Sequence, residues 1–121
     1  MAQIDPTVAK QMVANYAKTR KTLIDQTYKM NDTESIWFSI DQFKQFAASL
    51  SAGASGVRIY LAVYNPDYPT TPDQTCVIAI ETIKDQVSGK DVDSMQQAAA
   101  PGPGGGGGGP ANAGKVCPPT C

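Results

Sequence analysis

The sequence predicts a small α+β domain. Three observations predict it: one long amphipathic helical pattern near the start, a capped second helix entered from an aromatic stretch, and two alternating apolar runs joined by a proline-rich loop. The expected architecture is two helices packed on one face of a small, mainly antiparallel sheet, in the order helix, strand, helix, strand, strand. The chain has 121 residues, which suits a single domain. The expected division is a domain over 1–100, with its ordered core at about 5–84, a Gly/Pro linker over 101–110 and a cysteine-containing peptide over 111–121.

Asp5 and Pro6 read as a helix start, with Asp as N-cap and Pro at the first helical position. Val8, Met12, Tyr16, Leu23 and Ile24 then recur at helical spacing, so one helix is expected over about 6–26. Asn31, Asp32 and Thr33 form a turn. Ile36-Trp37-Phe38-Ser39 is β-branched and aromatic, and reads as a short strand. It runs into a second helix through a Ser39/Gln42 capping box, with Phe38 and Phe43 at the two positions of a hydrophobic staple. Phe43, Phe46, Ala47 and Leu50 continue that helix face, and Gly53 and Gly56 close it.

Residues 57–64 alternate. Val57, Ile59, Leu61 and Val63 face one way, and Arg58, Tyr60, Ala62 and Tyr64 the other. Residues 75–83 form a second such run. A hairpin with Tyr64 opposite Thr75 would set Val63 against Cys76, Leu61 against Ile78 and Ile59 against Ile80, a core beneath the helices. Arg58 would then meet Glu81 as an ion pair, and a slip of one residue would undo the sorting. After Ile83 the chain turns polar, with a short helix expected near Asp91.

Ten basic and eleven acidic side chains argue against broad binding of nucleic acid or anionic lipid. The charge is uneven: residues 1–30 hold five basic and two acidic groups, and the remainder holds five and nine. Lys18, Arg20 and Lys21 are the only basic cluster, read as a solvated helix end. The absence of histidine excludes His-based general base catalysis, Ser-His and Cys-His pairs, and His metal ligands. No run approaches the roughly 18 apolar residues of a membrane span. The first residues lack an apolar signal core, so a cytoplasmic location is expected.

The three cysteines are Cys76, Cys117 and Cys121. An odd count in that setting suggests reduced thiols. Cys76 lies in an apolar run and reads as a core residue. Cys117 and Cys121 bracket Pro-Pro-Thr, and an extended diproline segment would hold their Cα atoms about 12 Å apart. A disulfide needs less than about 7 Å, so a local bridge requires a turn. Two thiolates are half of a zinc site, so metal binding would need a second chain.

Ser35-Ile-Trp-Phe-Ser-Ile-Asp-Gln-Phe43, Gly56-Val-Arg-Ile-Tyr-Leu-Ala-Val-Tyr64 and the terminal Asn112-Ala-Gly-Lys-Val-Cys-Pro-Pro-Thr-Cys121 resemble a group of small uncharacterised bacterial proteins. Its members often carry Asn-His-Gly before the proline pair, where this chain has Ala113 in place of the histidine. The resemblance implies an α+β fold and no activity.

The candidate interaction face comprises Trp37, Arg58, Tyr60, Tyr64 and Glu81, because aromatics and arginine are enriched at interfaces. The function expected is a non-catalytic protein-interaction or self-association module, with a protein partner or a homo-oligomer, no cofactor and no resident metal. The alternative is a thiol-dependent role through Cys117 and Cys121: redox tethering, a shared metal site or a modified peptide tail. An enzyme using Arg58, Tyr60 and Glu81 is a third reading that nothing in the sequence demands. Gly102–Gly109 lacks the Gly-Lys-Ser/Thr of a phosphate loop, and Pro66, Pro69 and Pro72 read as stiffeners of the hairpin loop.

Overall fold

A computed structural model describes residues 2–94 and 114–117. It is a small mixed α+β chain with two helical segments and five antiparallel strands. A helical rod opens it: α1 (Pro6–Tyr16), one π-helical turn (Ala17–Lys21) and α2 (Thr22–Tyr28). Then come β1 (Ser35–Trp37), α3 (Ile40–Ser49), β2 (Ala54–Val63), β3 (Thr75–Lys84), β4 (Asp91–Asp93) and β5 (Lys115–Cys117). Strands β2, β3 and β4 form one sheet in that order, and β1 pairs with β5 in a second. No helix among the described residues is long and apolar enough to cross a membrane.

The local signals act as the sequence indicates. The Asp5 carboxylate accepts from the backbone N–H of Thr7 at 2.8 Å and of Val8 at 3.3 Å. Ser39 and Gln42 form the reciprocal box, at 3.1 and 2.9 Å. Phe38 and Phe43 meet edge to face, with centroids 5.6 Å apart. The π turn was not anticipated. Its cause lies in two threonines whose hydroxyls bond back to the backbone, Thr19 Oγ1 to Asn15 O at 2.6 Å and Thr22 Oγ1 to Ala17 O at 2.7 Å. Such bonds compete with the i→i−4 ladder and widen it. The rod ends at Lys29, which takes the left-handed conformation at φ 55°.

The expected hairpin register is wrong by one residue. Val63 lies opposite Thr75, Ala62 opposite Cys76, Tyr60 opposite Ile78 and Arg58 opposite Ile80. Glu81 lies opposite Val57, so the Arg58–Glu81 pair does not form. Instead of the short helix expected near Asp91, β4 adds a third strand, with Thr82 opposite Asp93. Its turn is built on Asp85, whose carboxylate accepts from Ser88 Oγ at 2.5 Å, Ser88 N at 3.1 Å and Val87 N at 3.3 Å. Gly89 supplies the positive φ of 70° that the turn needs.

Burial departs furthest from expectation. The buried apolar residues are Cys76, Ile80, Val116 and Cys117, and neither the rod nor α3 contributes one. The row expected to form the core, Val57, Ile59, Leu61 and Val63, is 40% to 83% exposed. The segments that follow the helices reach the sheet at β3. Asp32, after α2, bonds to Thr75, and Ser51, after α3, bonds to Glu81. Thr75 and Glu81 sit on the same side of β3, six residues apart in the alternation. Among the described residues strand β2 is an uncovered edge.

The C-terminal peptide is not wholly a tethered extension. Its residues 115–117 pair with β1, with Ile36 opposite Val116, and bury Val116 and Cys117. The expected linker over 101–110 lies outside the described residues. Gly114 permits the docking: a Cβ there would overlap Ile36 Cγ2 and stand 2.6 Å from Phe38 Cζ. Gly114→Ala is expected to cost about 1–3 kcal/mol through that overlap. It should also release β5, which intrinsic fluorescence of Trp37, the sole tryptophan, reports because Lys115 Nζ lies 5.1 Å from its ring centroid.

Candidate interaction surface

The five residues expected to share one face occupy separate places. Arg58 and Tyr60 come together on the side of the sheet that carries Ile78 and Ile80. Both grip Asp93 of β4. Arg58 pairs with one carboxylate oxygen and donates to Asp91 O at 2.9 Å, while Tyr60 Oη donates to the other oxygen at 2.5 Å. Hydrogen bonding with Tyr60 and the charge of Asp93 both raise the Arg58 pKa. Nearby, a hydrogen bond from Ser55 and the Lys84 ammonium, 3.0 Å away, hold the Asp91 carboxyl below its usual range. This cluster fastens β4 across β3 to β2.

Tyr64 lies past the end of β2 and stacks on Tyr68 of the loop, centroids 4.3 Å apart and planes within 14°. The stack stiffens the proline-containing connection. Trp37 belongs to the β1–β5 sheet and is half exposed under Lys115. Glu81 is 1% exposed, on the side opposite Arg58. One of its oxygens accepts from Ser51 N at 2.5 Å, and Oε2 has no hydrogen-bond partner. It anchors the chain leaving α3 and offers nothing to a surface.

The tail thiols also differ from expectation. Cys117 is disulfide-bonded and buried, which overturns the expectation of reduced thiols there. Cys76 keeps its thiol and is 2% exposed, as a core residue would be. Cys121 lies outside the described residues. Among the described residues no group of three Cys, Asp or Glu is placed to hold a metal ion.

Two features escaped the sequence reading. One is Asp32, 1% exposed, whose carboxylate accepts from Thr75 N at 2.7 Å and Thr75 Oγ1 at 2.5 Å. Its own N–H donates to Asp25 Oδ1 at 2.6 Å, and Asp25 also pairs with Lys21 at 2.5 Å. Lys21 reaches Asn31 at 2.7 Å as well, so part of the basic cluster closes the end of the rod. The other is the outer row of β2. Its alternation was read, but the sequence carries no signal of whether anything covers it. No family model matches the chain, and searches of curated proteins and of solved structures find no match.

The Asp25 carboxyl is held below its usual range, first by the Asp32 N–H and then by Lys21. A carboxyl depressed in the folded state adds stability above its unfolded value, about pH 4, and loses that contribution as pH falls toward the folded value. Urea unfolding across that acid window should show the loss. Asp25→Asn, which keeps the Oδ1 acceptor, should be less stable at neutral pH and flatter in its response to acid.

Proposed function

We propose that this chain is a non-catalytic protein-interaction module that associates with copies of itself. The exposed outer row of β2 carries the reading: Val57, Ile59, Leu61 and Val63 stand 40%, 65%, 83% and 61% exposed on one strand. Each such side chain, fully buried, is worth about 1.5–3 kcal/mol. Strand β2 is also an edge ten residues long. Natural edges are commonly guarded by charge, proline or brevity. Here the single charge, Arg58, is tied to Asp93. The polar atoms of Arg58, Tyr60 and Asp93 are engaged with one another and with Asp91 O, which speaks against a catalytic constellation.

The test is the solution mass of the full chain by light scattering. A dimer or larger assembly at micromolar concentration is expected, and Leu61→Asp should return it to the monomer with an unchanged circular dichroism spectrum. A wild-type monomer throughout would sink the proposal.

The alternative reading is a thiol-dependent tether; Cys117, buried and already disulfide-bonded within the single chain, leaves it no thiol to offer another copy. The two readings separate under reductant. An assembly held by the sheet keeps its mass when a dithiol is added, which is the outcome expected here, whereas a thiol tether falls apart. A cytoplasmic location remains a proposal, and the disulfide weighs against it, since such bonds persist in oxidising surroundings.

A further inference from the structure

Among the described residues a second apolar surface is left uncovered. Along the rod, Val8, Met12, Val13 and Leu23 are 44% to 65% exposed, and no rod residue is buried. An amphipathic helix is normally stabilised by covering its stripe against another layer. Among the described residues the same molecule thus displays an apolar helix surface, Val8 and Met12 in line with Val13 beside them, and an apolar sheet row, neither of them covered.

The two surfaces match in size. The rod spans residues 6–28 at 1.5 Å per residue, about 35 Å. Strand β2 has ten residues at 3.3 Å each, about 33 Å. They also match in charge. Residues 1–30 carry five basic and two acidic groups, net +3, and the rest of the chain carries five and nine, net −4. Opposite net charges favour encounter of one molecule's rod with another's body and oppose rod-to-rod association.

We propose that two copies of this chain form a reciprocal two-fold dimer in which the helical rod of each lies along the outer row of β2 in the other. The contact is isologous, so each copy contributes one stripe and one row. With a helix about 10 Å wide, the two strips amount to about 700 Å² per copy, close to the roughly 800 Å² per partner of a stable interface. This rests on the self-association reading and names what occupies the surface.

The experiment places a photoreactive phenylalanine analogue at position 61 of the full chain and mixes isotopically heavy and light copies before irradiation. Leu61 is 83% exposed, so the replacement leaves the folded chain undisturbed. The expected result is cross-linking from position 61 to α1 of the other copy, near Met12 and Val13. Met12→Asp should remove that cross-link and weaken the dimer about tenfold or more. A dimer cross-linked instead to β2 of the other copy, or only within one chain, overturns this arrangement and leaves self-association standing. A monomer at every concentration overturns both.

Discussion

The buried carboxylate of Asp32 is the interaction on which the arrangement of this chain depends. It receives the backbone N–H and the hydroxyl of Thr75, while its own N–H is held by Asp25 at the end of the rod. One residue therefore joins the last turn of the first helix to the first residue of the central strand. Burying a carboxyl group is costly unless its oxygens are well bonded, and here both oxygens accept. No rod residue is buried, and the bonds of Asp32 are polar links from the end of the rod to the sheet. Glu81 repeats the device for α3 through Ser51, with one oxygen left over. Two acidic anchors on one side of β3 set where the helices stand, and thereby which strand they leave bare.

The second small sheet follows a different logic. Strand β5 returns from well down the chain to pair with β1, and closing so long a loop opposes folding, though the cost grows only slowly with length. Burial of Val116 and Cys117 offsets it, together with the close approach that Gly114 permits. The Ser39 cap and the Phe38–Phe43 contact hold the neighbouring junction rigid, so β1 offers the incoming strand a fixed edge.

What was legible in the sequence was local. Asp5, the Ser39–Gln42 box, the phenylalanine staple and the alternation of 57–64 each follow from contacts within a few residues, and each was readable. What was not legible was set by residues far apart. The observed register is accompanied by contacts between distant residues, Asp32 with Thr75, 43 positions away, and Arg58 with Asp93, 35 away. An apolar sorting argument has no access to such pairings. It chose the register that placed Arg58 opposite Glu81, and the true one puts Glu81 beneath Ser51. Glu81 left the candidate face for the same reason. A slip of one residue moves every side chain to the other side of the sheet relative to its partner strand, and Glu81 parted from Arg58 and Tyr60.

The row of Val57, Ile59, Leu61 and Val63 carries the remaining step. Alternation states that a strand has two unlike faces. It does not state that the apolar face is covered by the same molecule. A row of this composition in a chain whose helices are drawn toward the neighbouring strand is a core position without its second layer. The rod is the converse, an amphipathic helix without a surface to lie on. Each lacks what the other offers. In the proposed dimer a second copy completes the layer with no change in either fold, and the incompleteness of the monomer would be the basis of that association.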